Sequence, residues 1–160
     1  MKLLLSILVI LLTSNLFASQ LKILANNFNG DDKKGVSVFS GHVRITRGSD
    51  ELNASKVTVY TDTKHQPTKM TAEGHVSFYI KTDNNTSYKG VAEKVVYLPT
   101  QKEYQFYKDV HLQQLNNKRE IDGDKIILNI INGKAVASGA SSEPVTMIFH
   151  LKSKDTNKTK

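Results

Sequence analysis

Apolar and polar side chains alternate with period two along short segments that cover most of the chain after residue 18. Segments such as "VRI", "VTV", "VSFYI" and "VTMIFHL" are rich in Val, Ile and Phe, which is typical of β-strands that bury one face. Turn-forming stretches such as "NGDDKKG", "KTDNNTS" and "LNNKRE" separate them. No segment there keeps a helical stripe. The pattern therefore predicts an all-β, antiparallel domain made of hairpins in series.

The strand pattern also repeats at a nearly constant interval. Gly41-His42-Val43 recurs as Gly74-His75-Val76, and aligned copies cover residues 41–74, 74–109 and 110–140. Each copy holds a Val-led strand, a polar turn and a small-x-Lys-apolar step, written "ASKV", "AEKV" and "GDKI". One such unit cannot bury its apolar face without its neighbours. The repeats are therefore expected to stack within a single domain.

One face of the predicted strands is apolar and the other is polar. Such strands need either a second sheet or one sheet that curls over itself. Intervening residues such as Thr58 and Ser77 should face outward. Both an ordinary core and a binding surface fit the apolar face. The positions predicted to share this inner face are Val36, Val38, Val43, Ile45, Val57, Val59, Met70, Val76, Phe78, Val95, Tyr97, Phe106, Val110, Leu112, Ile126 and Leu128.

The first residues have the pattern of a secretory signal peptide. Lys2 precedes an apolar run at residues 3–12, and Ala18 is a suitable cleavage residue. An uncleaved membrane anchor is the alternative reading of the same segment. The expected organisation is a signal peptide at residues 1–18, one β-domain at 19–151 and a charged, flexible tail at 152–160.

Charge and cysteine content narrow the range of partners. The 160 residues carry a formal net charge of +7, which favours an anionic partner such as a phosphorylated lipid or an acidic glycan. Export from the cytoplasm argues against nucleic acid. The chain has no cysteine, so the exported domain has neither a disulfide framework nor a thiolate metal site. Its stability must come from packing.

The sequence offers no strong catalytic or metal-binding pattern. His42 and His75 occupy matching repeat positions, but they should face outward without a carboxylate at ligand spacing. Solvated histidines are therefore expected rather than metal ligands. Motifs for a nucleophile, a phosphate loop or a carboxylate pair are missing from the sequence, which argues against an enzyme. No cofactor is predicted.

The signal peptide, the Gly-x-Val strand openings and the "AxKV" steps across residues 21–140 resemble LptA/OstA-like proteins. These are periplasmic components of lipopolysaccharide (LPS) transport in Gram-negative bacteria. The resemblance implies a single twisted, slightly open β-jellyroll whose apolar interior forms a groove for lipid A acyl chains. It also implies a non-enzymatic bridge between an inner-membrane LptC-like anchor and an outer-membrane LptD-like translocon. An anchored LptC-like relative is the alternative within the pathway.

Basic residues are expected in turns or on the polar face. There they would be solvated or would meet lipid phosphates at the mouth of the groove. The residues in this group are Lys33, Lys34, Arg44, Arg47, Lys118 and Arg119.

Both ends of the domain are predicted to be open strands. The strand at residues 145–151 is followed only by a charged tail, so its outer edge keeps unpaired backbone groups that can pair with another chain. Residues 21–25 should form the opposite edge. Two different open edges favour head-to-tail self-association. The residues assigned to these edges are Leu21, Ile23, Val145, Met147, Phe149 and Leu151.

Two other classes of function stay open at this stage. One is a structural β-repeat protein that holds no lipid, and the other is a periplasmic jellyroll that binds or cleaves glycans. Co-purifying lipid separates a carrier from the structural protein. The glycan reading needs an exposed aromatic platform or a carboxylate pair, and the sequence indicates neither.

Overall fold

The computed structural model describes residues 20–151, which form one antiparallel sheet without helices. The strands are β1 (Leu21–Leu24), β2 (Asn27–Asp31), β3 (Val36–Arg47), β4 (Asp50–Thr61), β5 (Pro67–Lys81), β6 (Ser87–Leu98), β7 (Glu103–Gln114), β8 (Arg119–Asn129), β9 (Ala135–Ser138) and β10 (Thr146–Ile148). Their order is β1-β3-β4-β5-β6-β7-β8-β10, with β2 also beside β3 and β9 also beside β8. The predicted all-β fold class is confirmed.

Aspartates fix two of the turns that join these strands. The Asp31 carboxylate accepts a hydrogen bond from the Lys34 N–H group at 3.1 Å. The Asp62 carboxylate accepts two, from the N–H groups of Lys64 at 2.8 Å and Gln66 at 2.9 Å. An Asp side chain at the start of a turn satisfies backbone donors that the sheet leaves unpaired. The polar stretches in the sequence are therefore hairpin turns.

The repeated Gly-His pair marks a kink in the sheet. Gly41-His42 on β3 and Gly74-His75 on β5 have positive φ angles, as do Lys108 and Asp109 on β7. At each pair, two residues lie opposite one residue of the next strand, which forms a β-bulge. Glycine adopts this conformation without strain, and histidine is among the side chains that tolerate it. The bulges align across the sheet, and we call this row the kink line.

The kink line divides the sheet into two halves whose inner faces meet. Phe78 on one side stacks on Phe106 on the other, with ring centroids 4.5 Å apart. The sheet therefore curls over itself, which is one of the two arrangements that the sequence allows. The β1 half contains β1, β10 and residues 43–47, 50–54, 76–81, 87–92, 110–114 and 119–123. The β2 half contains β2, β9 and residues 36–40, 56–61, 67–73, 94–98, 103–107 and 125–129.

Most of the positions predicted for the inner face form the core. Val57, Val76, Phe106 and Ile126 have no exposed surface. Met70 is half-buried and packs against this cluster. The predicted positions that are buried are Val43, Ile45, Val57, Val59, Val76, Phe78, Val95, Tyr97, Phe106, Val110, Leu112, Ile126 and Leu128.

Val36 and Val38 do not lie on the inner face, so their assignment to it is wrong. Val38 pairs with Thr58, whereas the adjacent Phe39 pairs with the buried Val57, and directly paired residues share a face. The two valines are half-buried on the outer face. Alternation alone shows that Val36 and Val38 share a face but not which face, because a kink separates them from Val43. Phe39 takes the inner position instead.

Candidate functional site

A cavity of about 330 Å³ lies between the inner faces of the two halves, toward the side of the sheet that begins with β1. Ile45 and Leu52 line it from the β1 half, and Met70 and Tyr97 line it from the β2 half. Ile45 and Leu52 are a direct cross-strand pair, and so are Met70 and Tyr97. The lining is mainly apolar. A concave, mostly apolar site of this kind suits an apolar ligand.

A row of aromatic rings runs from the filled centre of the molecule to this cavity. Phe106, which stacks on Phe78, lies 6.1 Å from Tyr104, and Tyr104 lies 4.4 Å from Tyr97. Burial raises the pKa of the Tyr104 hydroxyl, although the charge of Arg47 opposes that shift. The hydroxyl therefore stays neutral. Sequence reasoning missed Tyr104, yet its position two residues before Phe106 on β7 places it on the same face.

Further side chains complete the buried interior. Ile80, Tyr88 and Ile130 are buried, and sequence reasoning missed all three, although Ile80 also lines the cavity. Gly90 lies beneath Phe78, and a Cβ atom at this position would overlap the His111 carbonyl oxygen and lie 2.8 Å from the Phe78 ring. The absence of a side chain at Gly90 therefore lets Phe78 reach the centre.

Arg47 places a charge on the inner face at the cavity. The residue continues the inner row of Val43 and Ile45 on β3 and pairs with Asp50 of β4. Its Nη2 atom donates to Asp50 Oδ2 at 3.1 Å, and its guanidinium carbon lies 5.7 Å from the centre of the Tyr97 ring. The expectation that Arg47 lies on the polar face is wrong. A charge does not by itself determine which face of a strand a side chain occupies.

The surroundings of Arg47 keep it charged. Burial disfavours the charged form, but the Tyr97 side chain and the Asp50 carboxylate stabilise it more, so the pKa of Arg47 is raised. Asp50 is itself held in place, since its Oδ1 atom accepts the Lys81 N–H group at 2.9 Å. Tyr97 belongs to the β2 half, so Arg47 links the two halves at the cavity. A cation over an aromatic face is attracted to the ring.

Three of the histidines, His42, His75 and His111, lie on the outer surface at or next to the kink line. His42 and His75 are exposed, as predicted, and they do not meet because β4 separates their strands. Glu93 of the neighbouring strand lies 3.0 Å from His75 Nδ1, a carboxylate that the sequence spacing does not reveal. Within residues 20–151, no group of three potential metal-ligating side chains is close enough to hold an ion.

The sheet ends in two open edges. The first edge consists of β1 and β2, and it bends at Asn26, whose N–H group donates to the Gly41 carbonyl oxygen at 2.9 Å. The second edge consists of β9 and β10. The strand predicted at residues 145–151 is shorter than expected, because only β10 pairs with β8. Ile148 already pairs with Glu120, one residue from the start of β8, so residues 150–151 lie beyond the end of that strand.

Exposed large apolar side chains are concentrated at these edges. Phe28 is 64% exposed on the first edge, and Phe149 is 55% exposed beyond the second. Ile23 is half-buried and packs against the core. Clustered apolar exposure marks surfaces that bind other molecules. The exposed apolar residues at the edges are Leu21, Leu24, Phe28, Val136, Val145, Met147, Ile148, Phe149 and Leu151.

The directions of the edges are opposite. We count β1 with β2 as one interrupted strand, and β9 with β10 as another. The antiparallel sheet then has an even number of strands, so its first and last strands run in opposite directions. The first pass runs from the β1 half to the β2 half, and the last pass runs back. A second copy in the same orientation can therefore add its first edge to the last edge by antiparallel pairing. The inner faces of the two copies would then be continuous.

The chain shares sequence features and fold with proteins of LPS transport. The profile of the family described as "LptA/(LptD N-terminal domain) LPS transport protein" matches residues 22–134. The lipopolysaccharide export system protein LptA of Haemophilus influenzae is 28% identical over 132 residues, which cover 81% of this chain and 76% of that protein.

A solved structure has the same fold. The crystal structure of LptH, the LptA homologous periplasmic component of the lipopolysaccharide transport device of Pseudomonas aeruginosa, superposes with a TM-score of 0.73. The match covers 83% of this chain and 96% of LptH at 21% identity, so it establishes the fold alone. The predicted jellyroll is consistent with it. Within residues 20–151, no helix has the length and apolar character to span a bilayer.

Proposed function

The chain belongs to the LptA/(LptD N-terminal domain) family of LPS transport proteins, and on that premise we propose that it is a periplasmic bridge protein for LPS. It passes LPS from the inner membrane toward an outer-membrane translocon and catalyses no reaction. The acyl chains of lipid A lie between the inner faces of the two halves. The observation that carries the proposal is the apolar interior enclosed by one curled sheet and open at a cavity beside β1.

The free energy of moving lipid through water explains why such an interior is needed. Transfer of one CH₂ group from water to apolar surroundings is favourable by about 0.8 kcal/mol, so one acyl chain represents on the order of 10 kcal/mol. A lipid with several chains cannot cross the aqueous periplasm unaided at a useful rate. A continuous apolar surface removes this barrier without chemistry, which is why the site needs no catalytic group.

The size of the cavity indicates how the lipid must enter. A volume of about 330 Å³ lies at the lower end of the range for small-molecule sites, and it is too small for a multi-acylated lipid. Loading therefore requires the two halves to move apart. The sheet is free to do this because its first and last edges are not joined to each other.

The two open edges fit partners on either side of the chain in the pathway. The β1–β2 edge would receive an inner-membrane LptC-like anchor, and the β9–β10 edge would meet an outer-membrane LptD-like translocon. A second copy of this chain can use the same edges, which gives head-to-tail self-association. In each case antiparallel pairing keeps the inner faces in line. The edge residues assigned from the sequence, including Leu21 and Met147, serve this contact.

Processing and location complete the proposal. Residues 1–18 would act as a signal peptide that is cleaved after Ala18, residues 19–151 as the jellyroll domain, and residues 152–160 as a flexible charged tail. The signal peptide and the tail lie outside the residues that the structure describes. The mature protein would reside in the periplasm and contact both membranes through its partners.

The proposal predicts that a charge inside the cavity blocks LPS binding. Met70→Glu places a carboxylate against the acyl chains, so LPS co-purifying from a Gram-negative host should fall roughly tenfold. Lys69→Glu puts the same side chain on the exposed outer face of the same strand and should leave LPS content unchanged. Circular dichroism would verify folding, and Met70→Leu should retain LPS. Equal LPS content in the two glutamate variants would contradict the proposal.

A further inference from the structure

A passive apolar wall does not account for Arg47. Its side chain is only 33% exposed and faces the cavity between apolar neighbours. Placing a cation there carries a desolvation cost that an apolar residue at the same position would avoid. The outer face of the same strand already has Arg44, which is well exposed and lies 3.5 Å from Glu51. The inward position of Arg47 is therefore a feature of the cavity and not of the solvated surface.

The hydrogen bonds of Arg47 leave donors available. A guanidinium group has five N–H donors, and the contact with Asp50 is made through Nη2. Tyr97 lies against the guanidinium and limits how far it can turn. Asp50 cannot follow Arg47 into the cavity, because its other oxygen accepts the Lys81 N–H group at 2.9 Å. Arg47 is thus held at the cavity with part of its donor set uncommitted.

The charges around the cavity favour an anion. Arg47 and Lys102 both border it, from the β1 half and from the turn between β6 and β7. Of the two carboxylates at the rim, Asp50 is bound to Arg47 and Glu51 lies beside Arg44 on the outer face. An anionic group at the mouth would therefore meet two cations and one engaged carboxylate. Arginine is well suited to bind phosphate or carboxylate oxygens with two N–H groups at once.

We propose that Arg47 binds the anionic group of an amphiphile whose acyl chain occupies the cavity, so that this end of the interior selects a lipid carrying a phosphate or a carboxylate. This inference rests on the proposed function and adds to it the headgroup chemistry and the residue that recognises it. One chain would lie in the cavity beside Ile45, Leu52 and Met70, which line it. The anion stays at the polar end, where Tyr97 and Asp50 orient the guanidinium.

The test uses single-chain lipids of equal chain length with different headgroups. Lysophosphatidic acid carries a phosphate, a free fatty acid carries a carboxylate, and monoacylglycerol is neutral. Displacement of a fluorescent lipid from the purified full-length mature protein would give the three affinities. The wild type should bind at least one anionic lipid about tenfold more tightly than the neutral one. The affinity for lysophosphatidic acid relative to that for the fatty acid shows whether the site prefers a phosphate or a carboxylate headgroup.

Matched variants then assign the preference to Arg47. Arg47→Met should reduce the anionic preference to within about twofold and keep affinity for monoacylglycerol, whereas Arg44→Met on the outer face should keep the preference. If Arg47→Met alone fails to fold, the double variant Arg47→Met/Asp50→Asn, which removes both charges of the ion pair, is tested for the same loss of anionic preference. The inference is overturned if the wild type shows no preference or if either Arg47 variant keeps it.

The same protein preparations separate this inference from the function on which it rests. LPS that still co-purifies with a wild type lacking headgroup preference overturns the assignment of Arg47 alone. A wild type that binds neither LPS nor any of the single-chain lipids overturns the proposed function as well.

Discussion

Side chains on the inner face decide how closely the two halves approach at the centre. Phe78 and Phe106 meet there because position 90, beneath Phe78, has no side chain. A β-carbon at this position would collide with backbone as well as with the ring. The strand can relieve that overlap only by moving away from β7, and close-packed interiors resist such movement.

Gly90→Ala should therefore destabilise the protein by about 2–4 kcal/mol. Val91→Ala is the matched control, because Val91 is the next residue on β6, lies on the outer face and is 49% exposed. The unfolding free energy of Val91→Ala should fall by less than about 1 kcal/mol. Urea denaturation of both variants measures the difference. Equal losses of unfolding free energy in the two variants would show that the packing of Phe78 does not require the absence of a side chain at position 90.

At the residue scale, alternation predicted the buried positions well where a strand is uninterrupted. Val57 with Val59 and Ile126 with Leu128 are examples. The assignment failed at Val36 and Val38, because the kink lies between them and the better-defined part of β3. It failed at Arg47 because a charged side chain can lie on the inner face when a carboxylate such as Asp50 is paired with it. A cavity that tolerates an inward cation depends on contacts between strands distant in sequence, which a local pattern does not contain.

The kink line is the element that turns one sheet into an enclosure. Its bulges recur where the sequence repeats Gly-His, and Lys108-Asp109 takes the same conformation on β7 without that signature. The repetition in the sequence therefore indicated units that pack side by side, but it did not indicate the bend within each unit. Each bulge bends its own strand, and the bulges on β3, β5 and β7 bend the whole sheet only if they fall at the same level. That condition concerns register, which emerges from pairing.

The edge elements differ in a way that suits them to each other. On the inner face of the β2 half, the first edge ends in Phe28, which packs 5.0 Å from Phe39, and the last edge ends in Ala135 and Ala137. Head-to-tail addition would place the large ring of one copy beside small side chains of the next. The second edge was predicted too long because the sequence of residues 145–151 shows alternation but not the length of its partner strand.

Phe28→Ser should therefore weaken self-association more than folding. The ring is 64% exposed, so its loss should cost about 1 kcal/mol or less in unfolding free energy while removing a large apolar contact between copies. Val91→Ser is the matched control, since it removes an exposed apolar side chain from the centre of the sheet. Analytical ultracentrifugation over a concentration series would compare them. Similar association of both variants would exclude β2 as a contact edge.

At the scale of the whole molecule, two faces of one sheet have different roles. The outer face carries the solvated histidines and most of the charge, and the inner face carries the core, the aromatic row and the cavity. The sequence predicted this division and the open edges. It did not predict the cavity beside β1, because a cavity depends on contacts between strands that are distant in sequence.

In the proposed function, LPS lies between the two halves and not on the outside of the sheet. Leu52 and Asn53 provide a direct test, because they are adjacent on β4 and lie on opposite faces. A small photoreactive amino acid would be placed at each position in living Gram-negative cells, and the adducts identified with an antibody against LPS. We expect an LPS adduct at position 52 and little or none at position 53. Equal adducts at both positions, or an adduct at position 53 alone, would contradict the proposed function.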